Sequence, residues 1–280
     1  MKDLDSVKKE LAYFVRQAAG NYINEEQALS RELAGMRIYD APLVGAASVT
    51  DTLFRELKKP QAIGEHFMLP GDWMPEGKSV LSVFLPYTEE IKRANAGDNC
   101  EPAPEWLHGR VEGQTFLTEV CGHLKEKIEA LGGRVLVPTW DERFWKTESP
   151  KGVEMQDYEF TSNWSERHVA YTCGLGTFGL SRGLITKAGI AGRLFSLITD
   201  LEFEPLPREY EGLYDYCTGC GACIGRCPAD AISLEKGKEH RPCGQFMDYT
   251  KEAYAPRYGC GKCQTGVPCE SGIPTKTENI

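Results

Sequence analysis

A run of closely spaced cysteines near the C-terminal end constrains this chain more than any other feature. Four thiols occur in the order Cys217-x2-Cys220-x2-Cys223-x3-Cys227, and Pro228 follows at once. This spacing is the ligand pattern of bacterial-type iron-sulfur proteins, in which three cysteines bind one [4Fe-4S] cluster and the fourth binds a second cluster. The segment is therefore predicted to wrap around inorganic clusters.

Four further cysteines complete the ligand count that two clusters need. They are Cys243, Cys260, Cys263 and Cys269. Because the fourth cysteine of the run serves the other cluster, the eight thiols divide into two sets. The first cluster is assigned the ligands Cys217, Cys220, Cys223 and Cys269. The second cluster is assigned Cys227, Cys243, Cys260 and Cys263.

Other uses of cysteine fit this segment less well. A structural zinc site would use two separated Cys-x2-Cys pairs, whereas three thiols here recur at intervals of three, with Gly219 and Gly221 between them. Glycines let backbone amides approach cluster sulfurs. Disulfides are typical of small secreted domains, and the first residues of this chain lack the apolar core of an export signal. We expect reduced, metal-bound thiols.

Length and composition indicate what kind of protein carries this cysteine-rich module. The 280 residues, 41% of them hydrophobic, suffice for one large domain and one small one. No run of apolar residues is long enough to span a membrane, so a cytoplasmic protein is expected. The formal charge of -9 disfavours broad binding to a polyanion such as tRNA, although a local basic groove would be compatible with it.

The order of elements predicts an α/β domain over residues 1–204 and a cluster domain over residues 205–280. Helices are expected from Ser6 to Gly20, from Thr50 or Asp51, and over residues 105–131. Strands are expected over residues 79–85, 134–137, 183–186 and 194–199. Residues 88–98 and 141–164 are expected to be loops. The strand-helix-strand order over residues 79–137 is typical of an α/β sheet.

A glycine-rich turn is the second candidate site. Gly174-x-Gly176-x-x-Gly179 has the spacing of a dinucleotide fingerprint, but that fingerprint follows a strand and opens a helix. Here a helix beginning after Ser165 is expected before the turn and a strand after it. The turn is therefore either a tight structural turn or a place where bare backbone approaches a large flat cofactor or its phosphate. The candidate cofactor-binding residues are Gly174, Gly176, Thr177 and Gly179.

Three segments together resemble the epoxyqueuosine reductase family, which is related to the reductive dehalogenases. They are residues 165–179 (SERHVAYTCGLGTFG), residues 194–205 (LFSLITDLEFEP) and the double set of cysteines. The resemblance implies an α/β (α+β) domain of nitroreductase-like type that binds a corrinoid. It also implies a small two-cluster ferredoxin-like domain that passes electrons to this base-off cobalamin.

The chain departs from the family pattern near the implied active site. The family has a proton-donating aspartate upstream of its Glu-Arg pair, whereas this chain has Phe160 near that place. The nearby acids are Asp157 and Glu159, and Glu159 is taken as the candidate catalytic acid. The basic residue that follows the family's glycine turn is lost here or displaced to Arg182. The last cysteine, Cys269, follows its neighbour after five residues instead of three.

We expect an iron-sulfur reductase, with cobalamin as the cofactor that reduces a small molecule or a modified nucleoside. A low-potential electron donor such as ferredoxin or flavodoxin is implied. Two alternatives stay open, namely a noncatalytic electron carrier that reduces a partner such as a corrinoid protein, and a reductase that uses FMN in place of the corrinoid. The large first domain argues against the carrier, because a ferredoxin needs only the cysteine-bearing segment.

Overall fold

The computed structural model describes residues 2–147 and 160–275. The helices are α1 (Leu4–Gln17), α2 (Thr52–Glu56), α3 (Pro70–Trp73), α4 (Glu89–Ala96), α5 (Pro104–Ala130), α6 (Glu166–Thr172), α7 (Ala222–Gly225) and α8 (His240–Ala253). The strands are β1 (Leu43–Ser48), β2 (Ser79–Pro86), β3 (Val135–Leu136), β4 (Gly176–Phe178), β5 (Leu184–Thr186), β6 (Gly192–Thr199), β7 (Ile232–Ser233) and β8 (Gly237–Lys238).

The central sheet has four strands in the order β1-β2-β6-β3, and its pairings are antiparallel. β2 and β6 pair along their whole length, from Ser79 opposite Thr199 to Pro86 opposite Gly192. The chain passes from β2 through α4 and α5 to β3, as the strand-helix-strand prediction requires. However, β2 and β3 are not neighbours, because β6 lies between them and supplies hydrogen-bond partners to both.

The two faces of the sheet are covered by different helices. Leu81, Val83 and Leu85 of β2 face a core shared with α1 and α5. The alternate residues face the side of α6, where small side chains pair across the strands. Gly45, Ser82 and Ser196 form this row of small residues across β1, β2 and β6. A side chain at Gly45 would lie 2.3 Å from the Cys173 carbonyl oxygen, so α6 lies directly on the sheet.

Most of the helix and strand predictions are confirmed. The predicted long helix over residues 105–131 is α5, which begins at Pro104 and ends before Gly132, a residue with φ of +84°. The first helix begins earlier than expected, because the Asp3 carboxylate and not Ser6 accepts the capping hydrogen bond. Residues 141–147 and 160–164 contain no helix or strand, as expected for a loop.

Two predictions failed. Residues 88–98 were expected to be a loop, whereas Glu89–Ala96 form α4. Its buried face carries Ile91, Lys92 and Asn95, a pattern too polar to be recognised as the inner face of a helix. The edge strand β1 was not predicted, since its sequence is rich in glycine and alanine, which have low strand propensity.

The cysteine-rich segment packs closely against α4 and α5. Lys262 is fully buried and its Nζ donates to the Asn95 carbonyl oxygen at 2.9 Å. Arg257 forms a 2.6 Å ion pair with Glu112 of α5. The division at residue 204 stays a prediction, and the two parts share an extensive packed boundary. Within the described ranges, no helix has the length and apolar composition needed to cross a bilayer.

Candidate iron-sulfur and cofactor site

The first predicted set of cysteines surrounds one cavity. It is a small, partly enclosed cavity that opens to solvent. The four thiols that line it are Cys217, Cys220, Cys223 and Cys269. Backbone and side chains of Gly179, Leu180 and Ser181, which follow β4, line the same cavity. The four residues assigned to the first cluster are therefore brought together, including the one that is distant in sequence.

Hydrogen bonds from the α/β domain hold both ends of this cysteine set. The Tyr216 N–H, directly before Cys217, donates to Thr177 Oγ1 at 2.9 Å. The Ile190 N–H donates to the Cys269 carbonyl oxygen at 2.9 Å. Between them, Gly219 and Gly221 have φ of +67° and +71° and allow the loop to curl around the cavity.

Crowding of the thiols has an electrostatic consequence. Burial, with contributions from the neighbouring Cys223, Cys217 and Cys220, raises the pKa of Cys269 to about 12. Burial likewise raises the pKa of Cys223 to about 11. Such thiols stay protonated until a metal displaces the protons, because only a cation compensates several thiolates at one place. The set of four thiol donors fits a [4Fe-4S] cluster.

Three cysteines of the second set lie near one another, and the fourth, Cys227, follows a neighbouring helix. Burial raises the pKa of Cys260 to about 12, with further contributions from Cys263 and Cys243. Cys227 lies after α7, which packs against the short helical turn Lys262–Gln264 that carries Cys263. The Cys227 sulfur accepts the Ala231 N–H at 3.3 Å.

A lysine from β8 accompanies the second set. The pKa of Lys238 is raised, first by the Cys263 sulfur and also by Cys243, with which it forms a hydrogen bond. A cation beside the thiol sulfurs stabilises their charged form. This neighbourhood fits the ligands of a second negatively charged cluster.

The glycine turn is used by the protein's own packing. Gly176 lies in the β4–β5 hairpin, where a side chain would lie 1.9 Å from the Ile185 carbonyl oxygen. Gly174 has φ of +85° and lies against the Leu206 carbonyl. Thr177 is fully buried and bonded to Tyr216, whereas Gly179 borders the first cavity. Of the four candidate cofactor-binding residues, Gly179 has the contact expected of a residue near a cofactor.

Arg167 and His168 are neighbouring basic residues of α6, and Arg167 lies close enough to the second thiol set to be affected by Cys263 and Cys243. The Arg167 side chain is exposed, yet surrounding protein lowers its pKa by desolvation, while Cys263 and Cys243 act in the opposite direction. Burial lowers the pKa of His168 to about 4, and its Nδ1 lies 2.8 Å from Ser165 Oγ.

Further basic groups lie nearby. The side chains of Arg182 and His240 are 3.0 Å apart, and Phe160 stacks on the His240 ring with centroids 5.1 Å apart. Burial lowers the pKa of His240 to about 4, with contributions from Arg182, Lys238 and Arg167. Arg182, the predicted replacement for the family's basic residue, therefore lies close to the module that carries the clusters.

A buried carboxyl group docks α6 onto the sheet. Ser196 Oγ donates to Glu166 Oε2 at 2.6 Å and accepts the Trp164 Nε1–H at 2.9 Å. Burial raises the pKa of Glu166 to about 7. Glu166 Oε1 and the Ser82 hydroxyl, which belongs to the same row as Ser196, have no partner among the described residues. The positions of Arg167 and His168 thus depend on the hydrogen bond between the preceding residue, Glu166, and Ser196 of the sheet.

The remaining candidates divide into three groups. Glu159, the candidate catalytic acid, and Asp157 lie outside the described residues. Cys121 and Cys173 are buried packing residues, and Cys173 Sγ faces the Val80 carbonyl oxygen at 3.6 Å. Cys100 is exposed.

Sequence reasoning missed Asn95 and Trp106, which contact the loop around Cys260. The Asn95 amide donates to the Cys260 carbonyl oxygen, and the Trp106 ring packs on Gly261. They come from helices far away along the chain, and no sequence motif marks them.

The comparison with family models agrees with this geometry. Residues 213–233 match the model described as the 4Fe-4S binding domain. The match includes the whole first cysteine run. Fold and site together define a mixed α/β iron-sulfur protein.

Known proteins make the relationship more specific. The chain is 31% identical over 219 residues to the epoxyqueuosine reductase of Staphylococcus aureus, which is 74% of this chain and 52% of that protein. It is 43% identical over 113 residues to the tetrachloroethene reductive dehalogenase of Dehalobacter restrictus, which is 38% of this chain and 20% of that protein. The predicted resemblance is confirmed, because the chain is related to epoxyqueuosine reductases and to reductive dehalogenases. It spans about half the length of the first relative and a fifth of the second.

Solved structures share the fold. An epoxyqueuosine reductase with an epoxyqueuosine-modified tRNA stem loop superposes with a TM-score of 0.52 at 18% identity, covering 97% of this chain and 67% of that one. A reductive dehalogenase in complex with 3-bromo-4-hydroxybenzoic acid gives a TM-score of 0.51 at 16% identity, covering 84% and 30%. At such identities the likeness concerns the fold.

Proposed function

We propose that this protein is an iron-sulfur reductase that passes electrons through two [4Fe-4S] clusters to a corrinoid held by the α/β domain. The observation that carries the proposal is that both thiol sets border the same part of that domain. Gly179, after β4, lines the cavity of the first set, and Arg167 of α6 lies beside Cys243 and Cys263 of the second. Electrons that enter the module would thus leave it next to α6 and the glycine turn.

The corrinoid is proposed from the similarity of the chain to epoxyqueuosine reductases and reductive dehalogenases. When bound, it would supply a strongly reducing cobalt centre, whose chemistry belongs to the cofactor. Of the four candidate residues of the glycine turn, Gly179 is proposed to lie next to it, with Arg167 nearby, because Gly174, Gly176 and Thr177 are occupied by internal packing. A nitroreductase-like type of fold for the α/β domain belongs to the same proposal.

The chain's own residues would position the substrate and supply a proton. Glu159 is the proposed acid, because it lies one residue before Phe160, which contacts His240 of the cluster module. A carboxylic acid within hydrogen-bond reach of the substrate would donate a proton as electrons arrive. The exposed Arg167 side chain would attract a negatively charged group.

The proposed partners are a low-potential electron donor, such as ferredoxin or flavodoxin, and a small molecule or modified nucleoside as the substrate. One structural relative is described with a modified tRNA stem loop. The formal charge of -9 of this chain disfavours broad binding to a polyanion such as tRNA. A cytoplasmic location is proposed because cluster thiols need a reducing compartment.

Two other functions stay open to test. A noncatalytic electron carrier is disfavoured by the close packing of the cluster module on α4 and α5, since a free ferredoxin has no need of such a partner. FMN in place of the corrinoid would give a flavin-dependent reductase.

The test is an anaerobic titration of the cluster-reconstituted protein with cob(II)alamin, followed by EPR of the cobalt. The proposal predicts saturable binding of one equivalent with a base-off spectrum. An unchanged base-on spectrum in the presence of intact clusters would contradict it. A parallel titration with FMN, followed by absorption and fluorescence, separates the flavin alternative.

A further inference from the structure

The loop that carries Cys260 is covered by a side chain of the α/β domain. Trp106 lies in the first turn of α5 and is 4% exposed. A side chain added to Gly261 would lie 1.8 Å from Trp106 Cζ2, and one added to Gly259 would lie 3.3 Å from Trp106 Cδ1. The indole ring therefore packs on the backbone on both sides of Cys260.

The conformation of Gly261 makes this contact specific. Gly261 has φ of +64°, in the left-handed region that favours glycine. Two features thus favour glycine at this position. The backbone adopts a left-handed conformation, and the indole of Trp106 occupies the space that a side chain would need. Behind the ring, Tyr87 packs with centroids 4.9 Å apart, and its hydroxyl donates to the Gly109 carbonyl oxygen at 2.9 Å. The indole therefore packs against Tyr87 in the core of the α/β domain as well as against the Cys260 loop.

Asn95 of α4 fixes the same loop by hydrogen bonds. Its amide nitrogen donates to the Cys260 carbonyl oxygen at 3.0 Å and to Thr265 Oγ1 at 3.1 Å. Its side-chain oxygen accepts the Ala103 N–H, which lies just before α5, at 3.1 Å. Because Asn95 is fully buried, these bonds tie the Cys260 loop and the start of α5 into one unit.

We infer that Trp106, held in place with the help of Asn95, is a positioning residue that forms one wall of the second cluster's site and sets its reduction potential by excluding water from Cys260. The inference rests on the proposed two-cluster assignment. Reduction adds negative charge to a cluster, and solvent exposure and hydrogen bonds to its ligands shift the potential. A wall that excludes water disfavours the added charge and keeps the potential low.

The experiment compares Trp106→Ala with the wild-type protein by EPR-monitored potentiometric titration, after anaerobic reconstitution and without any corrinoid. Cys260→Ser and Cys269→Ser assign the signals to the two clusters. The second cluster of the Trp106→Ala protein is expected to titrate at a more positive potential, while the first cluster is unchanged. The first cluster thus serves as an internal control. Trp140→Ala, at a tryptophan that is 48% exposed, controls for loss of an indole elsewhere.

A second pair of variants tests the contact itself. Gly261→Ala places a methyl group against the ring and is expected to shift the second cluster's potential in the same direction. In the double variant Trp106→Ala/Gly261→Ala, the methyl group of Ala has room because the indole is gone. The potential shift of the double variant should therefore be smaller than the sum of the two single shifts. If Trp106→Ala loses all its iron, Trp106→Phe keeps an aromatic cover of smaller size and is expected to give a smaller positive shift.

Equal shifts of both clusters, or an unchanged second cluster in Trp106→Ala and Trp106→Phe, would overturn the inference. Wild-type protein with eight irons that binds no cobalamin would contradict the proposed reductase but leave this test valid. Wild-type protein with fewer than eight irons would contradict the presence of two clusters, on which both the inference about Trp106 and the proposed reductase depend.

Discussion

At the scale of single residues, the buried carboxyl group of Glu166 has a defined pH dependence. Its pKa is raised by burial from 4.5 to about 7, so the folded protein binds this proton more tightly than the unfolded chain does. The stabilisation by the proton is fully present below about pH 4.5 and is lost as the pH rises through 7. The carboxyl accepts a hydrogen bond from Ser196, and the thiols of Cys173, which follows α6, and of Cys121 on α5 lie within its electrostatic influence.

Replacing Glu166 by Gln should remove this pH dependence. A shift from 4.5 to about 7 corresponds to about 3 kcal/mol of unfolding free energy. At pH 8 we expect the Glu166→Gln protein to be more stable than wild type, because no charge is buried. Denaturant unfolding at pH 5 and pH 8 measures the difference. The exposed Glu126→Gln is the control, and an equal pH dependence of Glu166→Gln and wild type would refute the prediction.

Thr177 supports the first cysteine set through one hydrogen bond. In Thr177→Val the Tyr216 N–H loses its acceptor, while the shape of the side chain is kept. An unpaired Tyr216 N–H should lower the free energy of unfolding by about 1–3 kcal/mol and make the chain just before Cys217 more mobile. We expect iron of the first cluster to pass to a chelator faster, with the second cluster unaffected.

The matched control is Thr118→Val, whose hydroxyl bonds within an exposed part of α5. Unchanged iron release from Thr177→Val would show that Cys217 does not depend on this bond.

At the scale of elements, α6 requires small residues beneath it on the sheet. In Gly45→Ala the new methyl group would lie 2.3 Å from the Cys173 carbonyl oxygen, so the helix must move away. Overpacking of this kind lowers the free energy of unfolding by about 1–3 kcal/mol. Thermal unfolding of Gly45→Ala should show a clear fall in Tm.

Gly122→Ala is the contrasting variant, because the added methyl group in α5 meets nothing within 4 Å. Alanine favours the helix there by up to about 1 kcal/mol, so the Tm should rise. Equal Tm changes for both glycines would contradict the close packing of α6.

The elements also show where sequence reasoning succeeds and where it ends. The spacing of the cysteines predicts two ligand sets, because a ligand pattern is local and its chemistry is strict, and the four cysteines of the first set line one cavity. The assignment of the second set stays a prediction. The helix α4 could not be recognised, because Lys92 and Asn95 are buried only by virtue of partners far along the chain, Ser271 and Cys260. The position of β6 between β2 and β3 is also decided by long-range pairing. Trp106 could not be identified for the same reason.

At the scale of the whole molecule, the cluster module is bound to the α/β domain by buried polar contacts. Arg226 donates to the Asn95 carbonyl oxygen at 3.1 Å and to the Thr265 carbonyl oxygen at 3.0 Å. Because such contacts connect α4 with both cysteine-bearing loops, we expect the cluster-loaded protein to unfold as one cooperative unit. Anaerobic calorimetry should therefore show one transition, with matching calorimetric and van't Hoff enthalpies. Two separated transitions would favour independent domains divided near residue 204.

The central claim is that eight cysteines of this chain hold two [4Fe-4S] clusters. Its most direct test is the iron and acid-labile sulfide content of the anaerobically reconstituted protein, measured together with EPR of the dithionite-reduced state. The account predicts eight irons and eight sulfides per chain, with signals from two interacting clusters. Four irons with one isolated signal, or zinc in place of iron, would contradict it.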